Sequence, residues 1–165
     1  MHKMKKNGKT IYISIAQQEM NGFENKNLTF TYPVSTGKNG AGEMKNSECT
    51  PRGWHRVYSI IGLEHQVNSV LVARKWTGEM YSEQLAEQFP GRDWILTRII
   101  QLEGLEPGRN KGGNVDTLER YIYIHGTPDS TRLGIPGSHG CIRLNNNAVI
   151  ELANWVTTDT LVYIQ

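Results

Sequence analysis

The sequence predicts a mainly β domain, sandwich- or barrel-like, with one helix near the C-terminal end and a small helical part elsewhere. Three observations carry that expectation. Short runs rich in Ile, Val, Tyr and Thr recur along the chain, clusters of Gly, Pro and Asn separate them, and a 3.6-residue apolar period appears once, late.

The run 9–15 puts Ile11, Ile13 and Ile15 on one side of a strand and Tyr12 and Ser14 on the other. Asn21-Gly22 is a turn signal and 28–34 is rich in Thr and aromatics, so a first hairpin is expected. A flexible loop, Ser35-Thr36-Gly37-Lys38-Asn39-Gly40-Ala41-Gly42, runs into polar residues as far as Thr50. Thr50-Pro51-Arg52-Gly53 then turns the chain into a strand at 54–61, and 69–76, 93–102 and 119–124 give three more. A short helix is expected at 81–88, ended by Phe89-Pro90-Gly91. The Gly-rich loop 104–114 suits a lid over a cleft or a plain surface connection. Asn145 or Asn146 caps the late helix, whose Val149, Leu152, Ala153 and Val156 share one face, and 160–164 closes the fold. No repeat or linker interrupts this order, so 1–165 is one domain with 1–8 a frayed polar end.

At 165 residues the chain is long enough to bury a core without a metal or disulfide staple. With 18 Lys and Arg against 16 Asp and Glu it has no basic field for nucleic acid, and no run approaches the ~18 apolar residues of a membrane span. The basic start is not followed by the apolar stretch of a secretory signal, so a cytoplasmic location is expected, or a periplasmic one if a leader was removed. The two cysteines, Cys49 and Cys141, make no disulfide framework.

The chemistry is concentrated in 121–144, YIYIHGTPDSTRLGIPGSHGCIRL. Alternating Ile and Tyr deliver His125 at a strand end, and a Gly/Pro loop leads to Ser138-His139-Gly140-Cys141-Ile142-Arg143. A cysteine nucleophile needs an imidazole to take its proton, a third group to fix that imidazole, and backbone N–H groups aimed at the developing oxyanion. His125 is placed for the first duty, and the amides of His139, Gly140 and Cys141 for the last. Two plainer readings stand beside this one: a buried inert thiol, and a zinc set of His125, His139 and Cys141 with Cys49 the only spare thiol. A disulfide between Cys49 and Cys141 would silence the nucleophile; a spectator Cys49 is the simpler reading.

The spaced His-Gly and Ser-His-Gly-Cys-Ile-Arg elements resemble the signature of the L,D-transpeptidase catalytic-domain family, bacterial peptidoglycan cysteine acyl-transferases that include L,D-carboxypeptidases. Val34-Ser35-Thr36-Gly37 and Thr50-Pro51-Arg52-Gly53-Trp54-His55-Arg56-Val57 are similar to the family's upstream pattern, and the likeness extends over about 9–164. The resemblance implies that Cys141 is the nucleophile and His125 the proton acceptor, its ring oriented by the carbonyl of Gly126. It implies that Ser138, His139 and Gly140 shape the pocket and supply oxyanion contacts. Arg143 would steady the loop or meet a substrate carboxylate. It implies a peptidoglycan stem tetrapeptide as substrate, cut between diaminopimelate and D-Ala through a thioester, with carbapenems acylating the same sulfur and no cofactor. Water as acceptor gives an L,D-carboxypeptidase of murein recycling, the favoured expectation. An amine acceptor gives 3→3 cross-links or attached proteins. A non-catalytic peptidoglycan-binding module and a zinc-structured module are the alternatives of another class. Ala148 stands where similar chains often carry an acid early in the helix, which puts the helix start in question.

Overall fold

A computed structural model describes residues 8–165; the expected frayed end at 1–8 lies, but for Gly8, outside the described residues. Ten strands form one curled sheet: β1 (Lys9–Ser14), β2 (Glu19–Glu24), β3 (Asn27–Pro33), β4 (Gly53–Ile61), β5 (Ser69–Val72), β6 (Lys75–Met80), β7 (Leu96–Gly104), β8 (Tyr123–Thr127), β9 (Ile142–Asn145) and β10 (Leu161–Ile164). Two α-helices, α1 (Glu83–Gln88) and α2 (Asn146–Trp155), and one 3-10 turn at Gly113–Val115 complete it. The strand order is β3-β2-β1-β10-β4-β7-β5-β6, and β8 lies between β7 and β9. Among the described residues, no helix is long and apolar enough to cross a membrane.

The alternation of apolar residues decides which face is covered. Ile11, Ile13, Val57, Ile100, Leu102, Ile124, Ile142, Val162 and Ile164 point inward, where Val149, Leu152 and Ala153 of α2 meet them. Burying each such Ile or Leu is worth about 1.5–3 kcal/mol, and this layer holds the sheet in its curl. The helix start needs no acid. Asn145 Oδ1 accepts from the Asn147 amide at 2.8 Å, and Ala148 is buried in the core, where a carboxylate would be desolvated.

Several expected elements move. Asn21 and Gly22 lie inside β2, not in a turn; Gly22 is required because the Phe30 ring of β3 packs where a Cβ would stand. The turn falls at Asn25 and Lys26, both at positive φ (49° and 69°). The run 69–76 is folded in two by Ala73 and Arg74, likewise at positive φ, giving the β5–β6 hairpin. The run 119–124 is mostly turn, with Tyr121 at φ 57°, and the strand begins at Tyr123. The 104–114 loop is fastened beside β4: buried Asn110 donates to the carbonyls of Arg52 and Trp54, both at 3.0 Å. Cover for the opposite face of the sheet comes instead from β5, whose Leu71 packs on Ile99 and Tyr123.

Candidate active site

β8 and β9 run parallel, with Ile124 opposite Ile142 and His125 opposite Arg143. Side chains alternate along strands, so Ile124 and Ile142 enter the core while Tyr123, His125, Cys141 and Arg143 project from the other face. The register therefore brings Cys141, one residue before β9, to the level of Tyr123 and one strand across from the His125 side chain. Cys141 packs against the small cluster of Leu71, Ile99 and Tyr123.

The imidazole is fixed in one tautomer. His125 Nδ1 lies 2.7 Å from the Gly126 carbonyl. A carbonyl only accepts, so Nδ1 carries the hydrogen and Nε2 presents its lone pair. Gly126 is needed for this approach, since a Cβ there would collide with Asn146 Oδ1 and come within 2.6 Å of the Leu96 carbonyl. Burial holds the His125 imidazolium below its ordinary range; the Gly126 carbonyl and the Asp93 carboxylate pull the other way. Burial pushes the Cys141 thiol up to about 12, opposed by the Tyr123 amide, which donates to Sγ at 3.3 Å. The thiol donates to the Tyr121 carbonyl at 3.4 Å. The resting pair is thus neutral thiol and neutral imidazole, and charge develops only as the proton moves.

The turn carrying the sulfur is built from distant pieces. Ser138 Oγ accepts from the Gly140 amide at 3.1 Å and donates to the Cys141 carbonyl at 2.5 Å. Gly140 is at φ +122°, and a Cβ there would stand 3.0 Å from the Cys49 carbonyl. Thr50 Oγ1 donates to the Gly140 carbonyl and accepts from the Gly37 amide, each at 2.8 Å. Ser35 and Arg143 exchange backbone hydrogen bonds at 3.1 and 2.9 Å, and the amides of Gly137 and Ser138 donate to the Thr36 carbonyl. The upstream Ser-Thr-Gly and Thr-Pro elements are therefore the brace of the cysteine turn.

Two expected roles change. Ser138 is buried with its hydroxyl spent inside the turn, so it shapes the turn and is not free for substrate. The Gly140 amide is likewise taken, which leaves the amides of His139 and Cys141 without a protein acceptor among the described residues. His139 is exposed, its Nδ1 3.6 Å from Asp93, and Arg143 pairs with the same carboxylate at 3.2 Å. Among the described residues no three His, Cys, Asp or Glu gather as a metal set. Cys49 and Cys141 are both free thiols.

Sequence reasoning missed Asp93. Asp93, ahead of β7, sits in a cavity of about 160 Å³ with Arg92, Thr127, Thr131, His139 and Arg143. It lies in no motif, and only the folded chain brings it to the site.

Fold and site define a class: a curled β domain presenting a buried His on one strand and a Cys at the entry to the adjacent parallel strand. The YkuD L,D-transpeptidase catalytic-domain description matches residues 8–164, and the chain belongs to that family. Solved structures similar to it include the L,D-transpeptidase from Mycobacterium smegmatis (TM-score 0.60, 16% identity, 96% of this chain and 58% of that one). L,D-transpeptidase 3 from Mycobacterium tuberculosis, in complex with a faropenem-derived adduct, gives TM-score 0.58 at 18% identity, covering 96% and 60%. An Enterococcus faecium L,D-transpeptidase gives 0.58 at 15%, covering 96% and 50%. The chain thus spans between half and three-fifths of these proteins. A comparison with curated protein sequences gives no match.

Proposed function

We propose that the protein is a cysteine acyl-transferase acting on peptidoglycan stem tetrapeptides, with Cys141 as nucleophile, His125 as proton acceptor, and water as the favoured acyl acceptor. One observation carries this reading: the parallel β8–β9 register puts Cys141 and a tautomer-fixed His125 on the same face of adjacent strands.

Attack passes the thiol hydrogen to Nε2 of His125 as Sγ bonds to the carbonyl carbon of the third stem residue. The oxyanion is met by the free amides of the 139–141 turn. Collapse breaks the C–N bond to D-Ala, His125 returns the proton to the leaving amine, and a thioester remains on Cys141. Water, losing a proton to His125, then attacks the thioester; the acid leaves and the sulfur is reprotonated. The carbonyl of Gly126 holds the ring through both halves.

Hydrolysis and transfer share every step up to the thioester and differ only in the acceptor, so the product decides between them. Purified protein given free tetrapeptide is expected to release D-Ala and yield tripeptide by mass spectrometry. Cross-linked dimers as the sole product would replace hydrolysis with transfer, and undiminished turnover by Cys141→Ala would overturn the reading.

A further inference from the structure

Arg120 lies in the turn that leads into β8. Its guanidinium donates to the carbonyls of Gly42 (3.3 Å), Glu43 (3.1 Å) and Cys49 (2.7 Å) and to the Ser47 hydroxyl (3.4 Å). All four acceptors are neutral. None of the ion pairs among the described residues includes it; the Glu43 carboxylate goes to Arg52 at 3.2 Å and Arg109 at 4.0 Å. A half-buried cation ordinarily takes a carboxylate partner, so a fork tied only to neutral groups leaves its charge for something else.

Arg120 is tied to the surroundings of the nucleophile twice, once through its fork and once through the chain beside it. The Cys49 carbonyl, which takes the shortest of the four bonds, lies against Gly140, immediately before Cys141. The Tyr121 carbonyl, next along the chain from Arg120, accepts the Cys141 thiol. We propose that Arg120 is a positioning residue for Cys141: its carboxylate-free guanidinium locks the Cys49–Gly140 contact and favours the anionic form of the sulfur as attack begins. The inference rests on Cys141 being the nucleophile.

The other groups facing the sulfur do not supply that charge. His125 and the Tyr123 amide approach from β8. Asp93 and Arg143 form an ion pair and offset each other, and Arg74 of the β5–β6 turn is engaged by the Tyr123 hydroxyl at 3.0 Å. Cys49 brings a second thiol on the braced segment. Consistently, Arg120, after Arg143, draws the Cys141 thiol toward ionisation, and the two cysteines and Glu43 stabilise the Arg120 cation against its burial.

The test is the rate of alkylation by iodoacetamide, assigned to Cys141 by peptide mass, from about pH 6 to about pH 10. Arg120→Gln in the full chain is expected to move the rise in rate to higher pH and to slow alkylation near pH 7.5 roughly tenfold, with circular dichroism unchanged. A folded Gln variant following the unaltered curve overturns the proposal and leaves Arg120 a loop tie only. If that variant does not fold, Arg120→Lys, which keeps the charge and drops the fork, is expected to keep the pH at which the rate rises and to lower its height, because the Cys49–Gly140 contact is no longer locked. A curve displaced to higher pH with the charge retained overturns it. Failure of the unaltered protein to alkylate at Cys141 at any pH would strike the proposed function itself, a result distinct from either.

Discussion

The strand pair β8–β9 and the segment 35–50 both build the site, yet they do it differently. The strand pair holds His125 and Cys141 by ladder register, a geometry shared with the whole core behind it. The 35–50 segment has only isolated bridges, Ser35 with Arg143 and Gly37 with Ser138, and works through single hydroxyls and carbonyls aimed at one turn. A register tolerates the loss of one bond because its neighbours remain; the Thr50 hydroxyl, which alone ties the segment to the Gly140 carbonyl, has no such neighbour. Substitutions in the pair should therefore remove chemistry and spare the fold, whereas those in the brace should cost both.

The largest expected effect is on the pair. Cys141→Ala should abolish D-Ala release with melting temperature nearly unchanged; measurable turnover would remove the sulfur from the mechanism. His125→Ala should slow turnover by about 10²–10⁴-fold, the usual worth of a positioned base, and pre-steady-state acylation should fall with it. A loss confined to deacylation would restrict the ring to the second half of the reaction.

Acid should act on the supports of the fold as well as on the strand pair. His55 of β4 is fully buried, its Nδ1 3.0 Å from the Gly53 carbonyl and its Nε2 2.9 Å from the Thr117 hydroxyl, and burial lowers its pKa from 6.5 to about 4. Above pH 6.5 neither state holds the extra proton. Between 6.5 and 4 the unfolded chain binds it and the folded chain does not, so stability falls as pH drops, by about 3 kcal/mol over that window at ~1.4 kcal/mol per unit. Denaturant midpoints measured across the window should follow this slope, His125 adding in the same direction. In His55→Gln the slope should flatten; an unaltered slope would acquit His55.

Thr50→Val tests the brace most finely. It leaves the Gly37 amide and the Gly140 carbonyl without their shared partner, a loss of about 1–3 kcal/mol. Turnover should drop with stability, unlike in Cys141→Ala. A stable Val variant with full activity would show that β8–β9 alone sets the turn.

Much of this was legible in the chain. The alternation at 9–15 and the helical face of Val149, Leu152 and Ala153 were readable because burial on one side writes a period into the sequence. The turns were not. Asn25-Lys26 and Ala73-Arg74 adopt positive φ without glycine, and tertiary packing, not local chemistry, made Asn21-Gly22 a strand. At the site, His125 and Cys141 stood out because strand, loop and Ser-His-Gly-Cys are contiguous. Thr50 was visible as a motif residue, but its tie to Gly140 was not. Asp93 and Arg120 left no periodic trace, since a lone charged residue in a loop declares its partner only when the chain has folded.

The central claim is that one sulfur, and no other, carries the acyl group. Intact-protein mass after mixing with a carbapenem, followed by peptide mapping, tests it most directly. The account predicts a single adduct on Cys141, absent from Cys141→Ala and slowed in His125→Ala. An adduct on Cys49, or none at all on the folded protein, would contradict it.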